Sequence, residues 1–101
     1  MEKTYIFQNV NIDSMNFTNN RNDIMFEFLD SLAGSGQPCG TLLCSDVISL
    51  TMTTNLDDDP FFPQFICDIS IENAPDNYGG HLITFEGGSY YISIICKTVL
   101  Y

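Results

Sequence analysis

The side chains with the clearest potential for chemistry are the oxygen donors Asn55, Asp57 and Asp59. Their alternate spacing matches the start of a calcium-binding loop, where oxygens at positions one, three and five converge on the cation. The rest of that loop is missing, because position six is Pro60 and position twelve is Ile66, where the loop requires glycine and a bidentate acid. The sequence therefore predicts no metal site here.

The same segment holds the residues that we predict to bind a partner, namely Asp57, Asp58, Asp59, Phe61 and Phe62. Adjacent carboxylates are costly to bury without paired cations, which favours an exposed loop. An aromatic pair beside acidic residues has the composition of an anchor in a protein interface. Two simpler interpretations remain open: the aspartates form a solvated loop without a partner, and the phenylalanines belong to the core.

Cysteine and histidine offer little further chemistry. Cys39 and Cys44 are separated by four residues, and Cys67 and Cys96 stand alone in apolar runs, so the short paired spacings of structural zinc sites are missing. We expect reduced, structural cysteines, with disulfides as the alternative. His81 is the only histidine, and the sequence contains no nucleophile elbow, phosphate loop or metal-binding histidine pair. The sequence thus predicts neither an enzyme nor a cofactor.

Net charge is the main functional clue. Thirteen acidic residues stand against three basic ones in 101 residues, giving a formal net charge of -10. Such a charge repels nucleic acid and acidic membranes and accelerates encounters with basic surfaces. Only 16% of the residues are charged, so the acidity arises from a shortage of lysine and arginine and is spread along the chain. We therefore expect a basic protein partner, with no direct nucleic-acid or membrane binding.

The sequence pattern of the elements that must position these residues predicts an α+β fold in a single domain, residues 1–101. Alternation of apolar and polar residues predicts a strand over 4–12. Ile24, Phe28 and Leu32 recur at helical spacing with Asn20 as N-cap, which predicts an amphipathic helix over about 22–33. Period-two patterns and turn signals then predict a four-stranded antiparallel meander that packs on this helix, with strands near 48–53, 65–72, 81–85 and 90–101.

The first residues do not show a basic segment followed by an apolar stretch, and no apolar run approaches membrane-spanning length. We therefore expect a cytoplasmic protein, in the host cytoplasm if the chain is encoded by a phage.

In size, acidity and lack of catalytic motifs, the chain resembles the small acidic inhibitors that phages use against bacterial defence, including anti-CRISPR proteins, and the immunity proteins that neutralise toxic nucleases. The resemblance is one of class and rests on no specific motif. It implies an inhibitor that imitates nucleic acid or masks the basic site of a nucleic-acid-handling protein. The alternative is a non-catalytic structural or assembly protein, such as a virion component or a homo-oligomer, which the apolar C-terminal strand and the many aromatic residues favour.

Overall fold

The described part of the chain is all-β. A computed structural model describes residues 3–18, 20, 22–30, 38–54, 66–75, 78–87 and 90–101. They form six strands: β1 (Thr4–Thr18), β2 (Asp23–Asp30), β3 (Pro38–Thr54), β4 (Ile66–Asn73), β5 (His81–Gly87) and β6 (Tyr90–Leu100). No helix occurs within these residues, and so none there is long and apolar enough to cross a membrane.

The strands close into an antiparallel barrel in the order β1-β2-β3-β6-β5-β4. Two meanders of consecutive strands, β1-β2-β3 and β4-β5-β6, make up this order. They meet at two seams, where β3 pairs with β6 and β1 pairs with β4. Closure leaves every strand with a neighbour on both sides, which removes the free edges that an open sheet would expose.

The predicted α+β fold is wrong, because the segment predicted as a helix over 22–33 contains strand β2. Ile24, Phe26 and Phe28 alternate along β2 and are at most 1% exposed, while Glu27 between them faces solvent. The same eight residues also carry apolar side chains three and four apart, as a helix would. Pairing with β1 and β3 decides between the two periods, because only the strand places all three large side chains in the barrel interior.

The other predicted strands are present with different lengths, but the predicted four-stranded meander is wrong, because β3 pairs with β2 and β6 and, of its four strands, only β4, β5 and β6 follow one another as a meander. β1 extends to Thr18, beyond the predicted end at residue 12, and β3 begins at Pro38, well before the strand predicted near 48–53. β4, β5 and β6 lie where the alternation predicted them. β6 pairs with both β3 and β5.

Aromatic rings fill the barrel interior. Phe26 lies 4.7 Å from Phe85 and 6.1 Å from Phe28 between ring centroids, and Phe7 lies 4.9 Å from Phe28. Phe7 also covers Gly40 so closely that a Cβ atom at Gly40 would lie 2.6 Å from Cε1 of the ring. Small barrels are packed with side chains in this way and leave no channel. The other buried apolar residues are Val10, Ile24, Leu42, Cys44, Cys67, Ile69, Ile71, Ile83, Ile92, Ile94 and Cys96.

The connection between β4 and β5 depends on two glycines with positive φ, Gly79 at 63° and Gly80 at 101°. The Gly80 carbonyl accepts a hydrogen bond of 3.1 Å from the Ala74 amide, which ties the two ends of the connection together. A side chain at Gly80 would collide with the backbone of Cys96, whereas Gly79 has open space around it. Only Gly80 therefore combines a strained φ with close packing.

Candidate functional site: the acidic outer wall

Acidic side chains lie on the outside of the barrel and at its bulges, and none of the described ones is buried. They are Asp13, Asp23, Glu27, Asp30, Asp46, Asp68, Glu72 and Glu86. Two of them have structural roles beside residues with positive φ. The Asp68 carboxylate accepts a 2.8 Å hydrogen bond from the Asn9 amide, and the Asp23 carboxylate accepts one of 3.1 Å from the Asp46 amide. Glu86 is paired with Lys3.

The predicted docking residues Asp57, Asp58, Asp59, Phe61 and Phe62 lie outside the described residues. The structure therefore does not test whether they form a docking loop, and that hypothesis stays a prediction.

A row of hydroxyl groups crosses the outer wall of the barrel. Ser70 on β4 pairs with Thr84 on β5, Thr84 pairs with Ser93 on β6, and Ser93 pairs with Thr51 on β3. Ser70, Thr84 and Ser93 alternate with core residues, and directly opposed residues of an antiparallel pair point to the same face, so these three and Thr51 point outward. We call these residues the hydroxyl row. At its β1 end, Tyr5 pairs with Ser70.

At the β4 and β5 end of the hydroxyl row, the small side chains of Ser70 and Thr84 lie among larger ones, and we call this position a depression. Ser70 is only 1% exposed and Thr84 only 4%, although both face outward. Their larger neighbours on the same face include Glu72 and Glu86, because outward positions recur at every second residue. The Ser70 hydroxyl has no hydrogen-bond partner among the described residues. A buried, unsatisfied hydroxyl is costly, so it marks a place where a ligand group would gain a hydrogen bond.

Lys3 extends over this depression. Its ammonium makes an ion pair and a hydrogen bond with the Glu86 carboxylate and lies 5.5 Å from the centre of the Tyr5 ring. Lys3 immediately precedes β1 and Glu86 lies in β5, with β4 between them in the sheet. The ion pair therefore spans the outer face of β4, where Ser70 lies.

The electrostatic surroundings favour a cation at this position. The pKa of Lys3 is raised above its ordinary value, chiefly by the hydrogen bond to Glu86; partial desolvation opposes the shift, and the Glu72 carboxylate adds to it. We call the group formed by Tyr5, Ser70, Glu72 and Glu86 the ammonium site. The sequence did not predict it, since Lys3 and Glu86 are 83 residues apart and only closure of the barrel brings them together.

A second depression, of about 280 Å³, lies between β1, β2 and β3. Its polar rim is formed by Asp13, Glu27 and Thr41, and the rest of its lining is mainly apolar. Asp13 reaches this rim because it is the extra residue of a β-bulge, between the pairs Ile12–Phe28 and Ser14–Glu27. The arrangement holds two carboxylates and no described cation.

The cysteines and His81 do not form a reactive centre. Cys44, Cys67 and Cys96 are buried and Cys39 is exposed, and none of the four forms a disulfide. The pKa of Cys44 is raised, first by its hydrogen bond with the Cys96 side chain and then by burial, so this thiol stays protonated. His81 begins β5, as expected, and its Nδ1 has no partner within the described chain. No three potential metal ligands cluster among the described residues.

The fold and this surface together define a class, a small six-stranded closed antiparallel barrel with an acidic outer face. The chain belongs to a protein family whose model, described only as "-like", matches residues 5–101. No curated protein matches it. It is similar in fold to a crystal structure of an uncharacterized protein from Neisseria gonorrhoeae, with a TM-score of 0.78 and 23% sequence identity over 99% of this chain and 96% of that chain. At that identity the likeness concerns the fold alone.

Proposed function

We propose that this barrel is a non-catalytic inhibitor that binds a basic, nucleic-acid-handling protein in the cytoplasm and blocks its nucleic-acid site. The observation that carries the proposal is the placement of the described carboxylates, which lie outside the core on several strands. Lys3 and Lys97 are the only cations among the described residues, and Lys3 is already paired with Glu86. A surface with so few internal counter-charges attracts a basic partner over long range and steers its approach.

At the partner's binding surface, these carboxylates would take the place of the phosphates of nucleic acid. Like the phosphates, they are repeated negative charges on a rigid scaffold. A closed barrel suits this role, because the strands hold the outward positions at fixed spacing while the core packs behind them. The proposal requires no catalytic group and no cofactor.

Capture from a nuclease-treated lysate, followed by binding measurements at two ionic strengths, tests the proposal. Nuclease removes partners that are held only through nucleic acid. Because the Debye length is about 8 Å at physiological ionic strength and about 3 Å at 1 M, affinity for the captured protein should fall steeply with salt. Neutralising Asp57, Asp58 and Asp59 to asparagine should mainly slow association, if the predicted docking loop takes part. Capture of no basic protein, or an affinity unchanged by salt, would refute the proposal.

An assembly role is the second candidate, and one described feature favours it. Leu50 and Met52 on β3 pair with the buried residues Ile94 and Ile92 and so share their face, yet they are 36% and 48% exposed. Ile48, at the adjacent bulge, is 42% exposed. Exposed apolar side chains grouped on one strand are typical of an interface. Sizing chromatography distinguishes the candidates, since a stable oligomer that Met52→Asp dissociates would support assembly.

A further inference from the structure

We propose that the ammonium site binds a lysine side chain of the partner protein, and that Lys3 occupies this site in the free barrel. The inference rests on the proposed function, because it identifies the group on the basic partner that the acidic wall recognises. Lys3 acts as an internal substitute for the partner's lysine, and the partner displaces it on binding.

The first argument is the chemistry that surrounds the Lys3 ammonium. Glu86 supplies a carboxylate, the Tyr5 ring supplies its negative face, and Glu72 contributes further negative charge. A carboxylate with an aromatic face is a suitable combination for an alkylammonium group, because the charge is neutralised while the methylene chain packs on the ring. Any lysine that reaches this wall meets the same groups.

The second argument is the unsatisfied hydroxyl of Ser70. An ammonium group has three donors, and the Lys3 ammonium has its hydrogen bond with Glu86 while Ser70 Oγ remains without a described partner. Ser70 lies below the path of Lys3 and is almost fully buried, so water cannot freely solvate its hydroxyl. A lysine that enters from outside, free of the attachment of Lys3 to β1, is able to donate to Glu86 and Ser70 together. The incoming group thus gains a hydrogen bond that Lys3 does not make.

The third argument is that Lys3 is easily displaced. The Lys3 and Glu86 side chains are 37% and 43% exposed, so their ion pair is largely solvated. Exposed ion pairs contribute little to stability, which lets a partner compete for Glu86 without unfolding the barrel. The exchange replaces one ammonium by another, and the net charge buried in the interface does not change.

Nuclear magnetic resonance titration of the full chain with Nα-acetyl-lysinamide tests the proposal. Nα-acetyl-norleucinamide is the matched probe, since it keeps the alkyl chain and lacks the charge. Lys3→Ala removes the internal competitor and should strengthen lysinamide binding about two- to fivefold, the range expected for an exposed ion pair. Shifts should appear at the amides of Ser70 and Thr84 with lysinamide and not with norleucinamide.

Two further variants in the Lys3→Ala background locate the site. Glu86→Gln should weaken lysinamide binding by a similar factor, whereas Glu27→Gln, which removes an exposed carboxylate from another wall, should leave it unchanged. Equal affinities for the parent and Lys3→Ala, or equal weakening by Glu27→Gln and Glu86→Gln, would overturn the proposal. Lysinamide binding at this site without a basic protein in the capture experiment would refute the proposed function alone. Salt-sensitive capture without lysinamide binding would refute only the ammonium site.

Discussion

The contact between Phe7 and Gly40 predicts the effect of Gly40→Ala on stability, and the sign of that effect depends on the Phe7 ring. In Gly40→Ala the new Cβ would lie 2.6 Å from Cε1 and 3.0 Å from Cζ of Phe7. Carbon atoms pack at about 3.5–4.0 Å, so the ring must move by roughly 1 Å. Phe7 also packs against Phe28, the residue paired with Gly40 on the neighbouring strand, which limits this movement. Overpacking of this kind costs about 1–3 kcal/mol, and replacing glycine in a strand returns about 0.5–1 kcal/mol.

We therefore expect Gly40→Ala to lower the free energy of unfolding by about 1–2 kcal/mol, measured by urea denaturation with an unchanged slope. For a domain of this size the melting temperature should fall by about 4–8 °C per kcal/mol. The sharper test uses Phe7→Leu, which lacks the two atoms that collide. In that background Gly40→Ala should be neutral or stabilising, which gives a coupling energy of about 1–3 kcal/mol. Additive effects of the two substitutions would show that the collision with Phe7 is not the cause.

Three other predictions follow from the described contacts. Gly79→Ala should lower the free energy of unfolding by about 1 kcal/mol, and Gly80→Ala should lower it further, because only a side chain at position 80 collides with the Cys96 backbone. Equal melting temperatures for the two variants would contradict this. In the native protein Cys39 should react with a thiol reagent far faster than the three buried cysteines, and its rate should still rise above about pH 8.5, because burial and Asp30 raise its pKa; rapid labelling of further thiols would refute this assignment. Ser70→Ala should raise the free energy of unfolding of the free barrel by about 1 kcal/mol, because it removes a buried hydroxyl without a described partner, and it should also weaken lysinamide binding. A lower free energy of unfolding would indicate that the hydroxyl is hydrogen-bonded.

The local pattern of apolar and polar residues was sufficient to predict most of the strands, but it was not sufficient to predict the fold. β4 was predicted to within a few residues because apolar and polar residues alternate along it, and β5 because turn-forming residues flank a short apolar run. β2 was misassigned because Met25, between the core residues Ile24 and Phe26, and Leu29, directly after Phe28, produce helical spacing as well. Nothing local distinguishes the two periods over eight residues, and the pairing with β1 and β3 selects the strand.

The candidate site was predicted only in its general character. Net charge indicated a basic partner, and the structure places the described acids outside the core, but the ammonium site depends on the pairing of β1 with β4 and of β4 with β5. Registers between distant strands are set by the whole barrel, so a reading along the chain cannot bring Lys3, Ser70 and Glu86 together. The burial of Ser70 has the same origin, because serine is ordinarily exposed and its sequence neighbours give no sign of the depression.

The two seams between the meanders also determine when this barrel is able to form during synthesis. The β1-β2-β3 meander is made first, and its outer strands must wait for β4 and β6. β6 is the described strand that pairs with β3 on that side, so closure requires the segment through Leu100 to have left the ribosome. Until then the outer strands of each meander have unpaired backbone groups, which could pair with the same strands of another nascent chain. Mutual repulsion between the carboxylates of unfinished chains opposes such pairing in the wrong molecule.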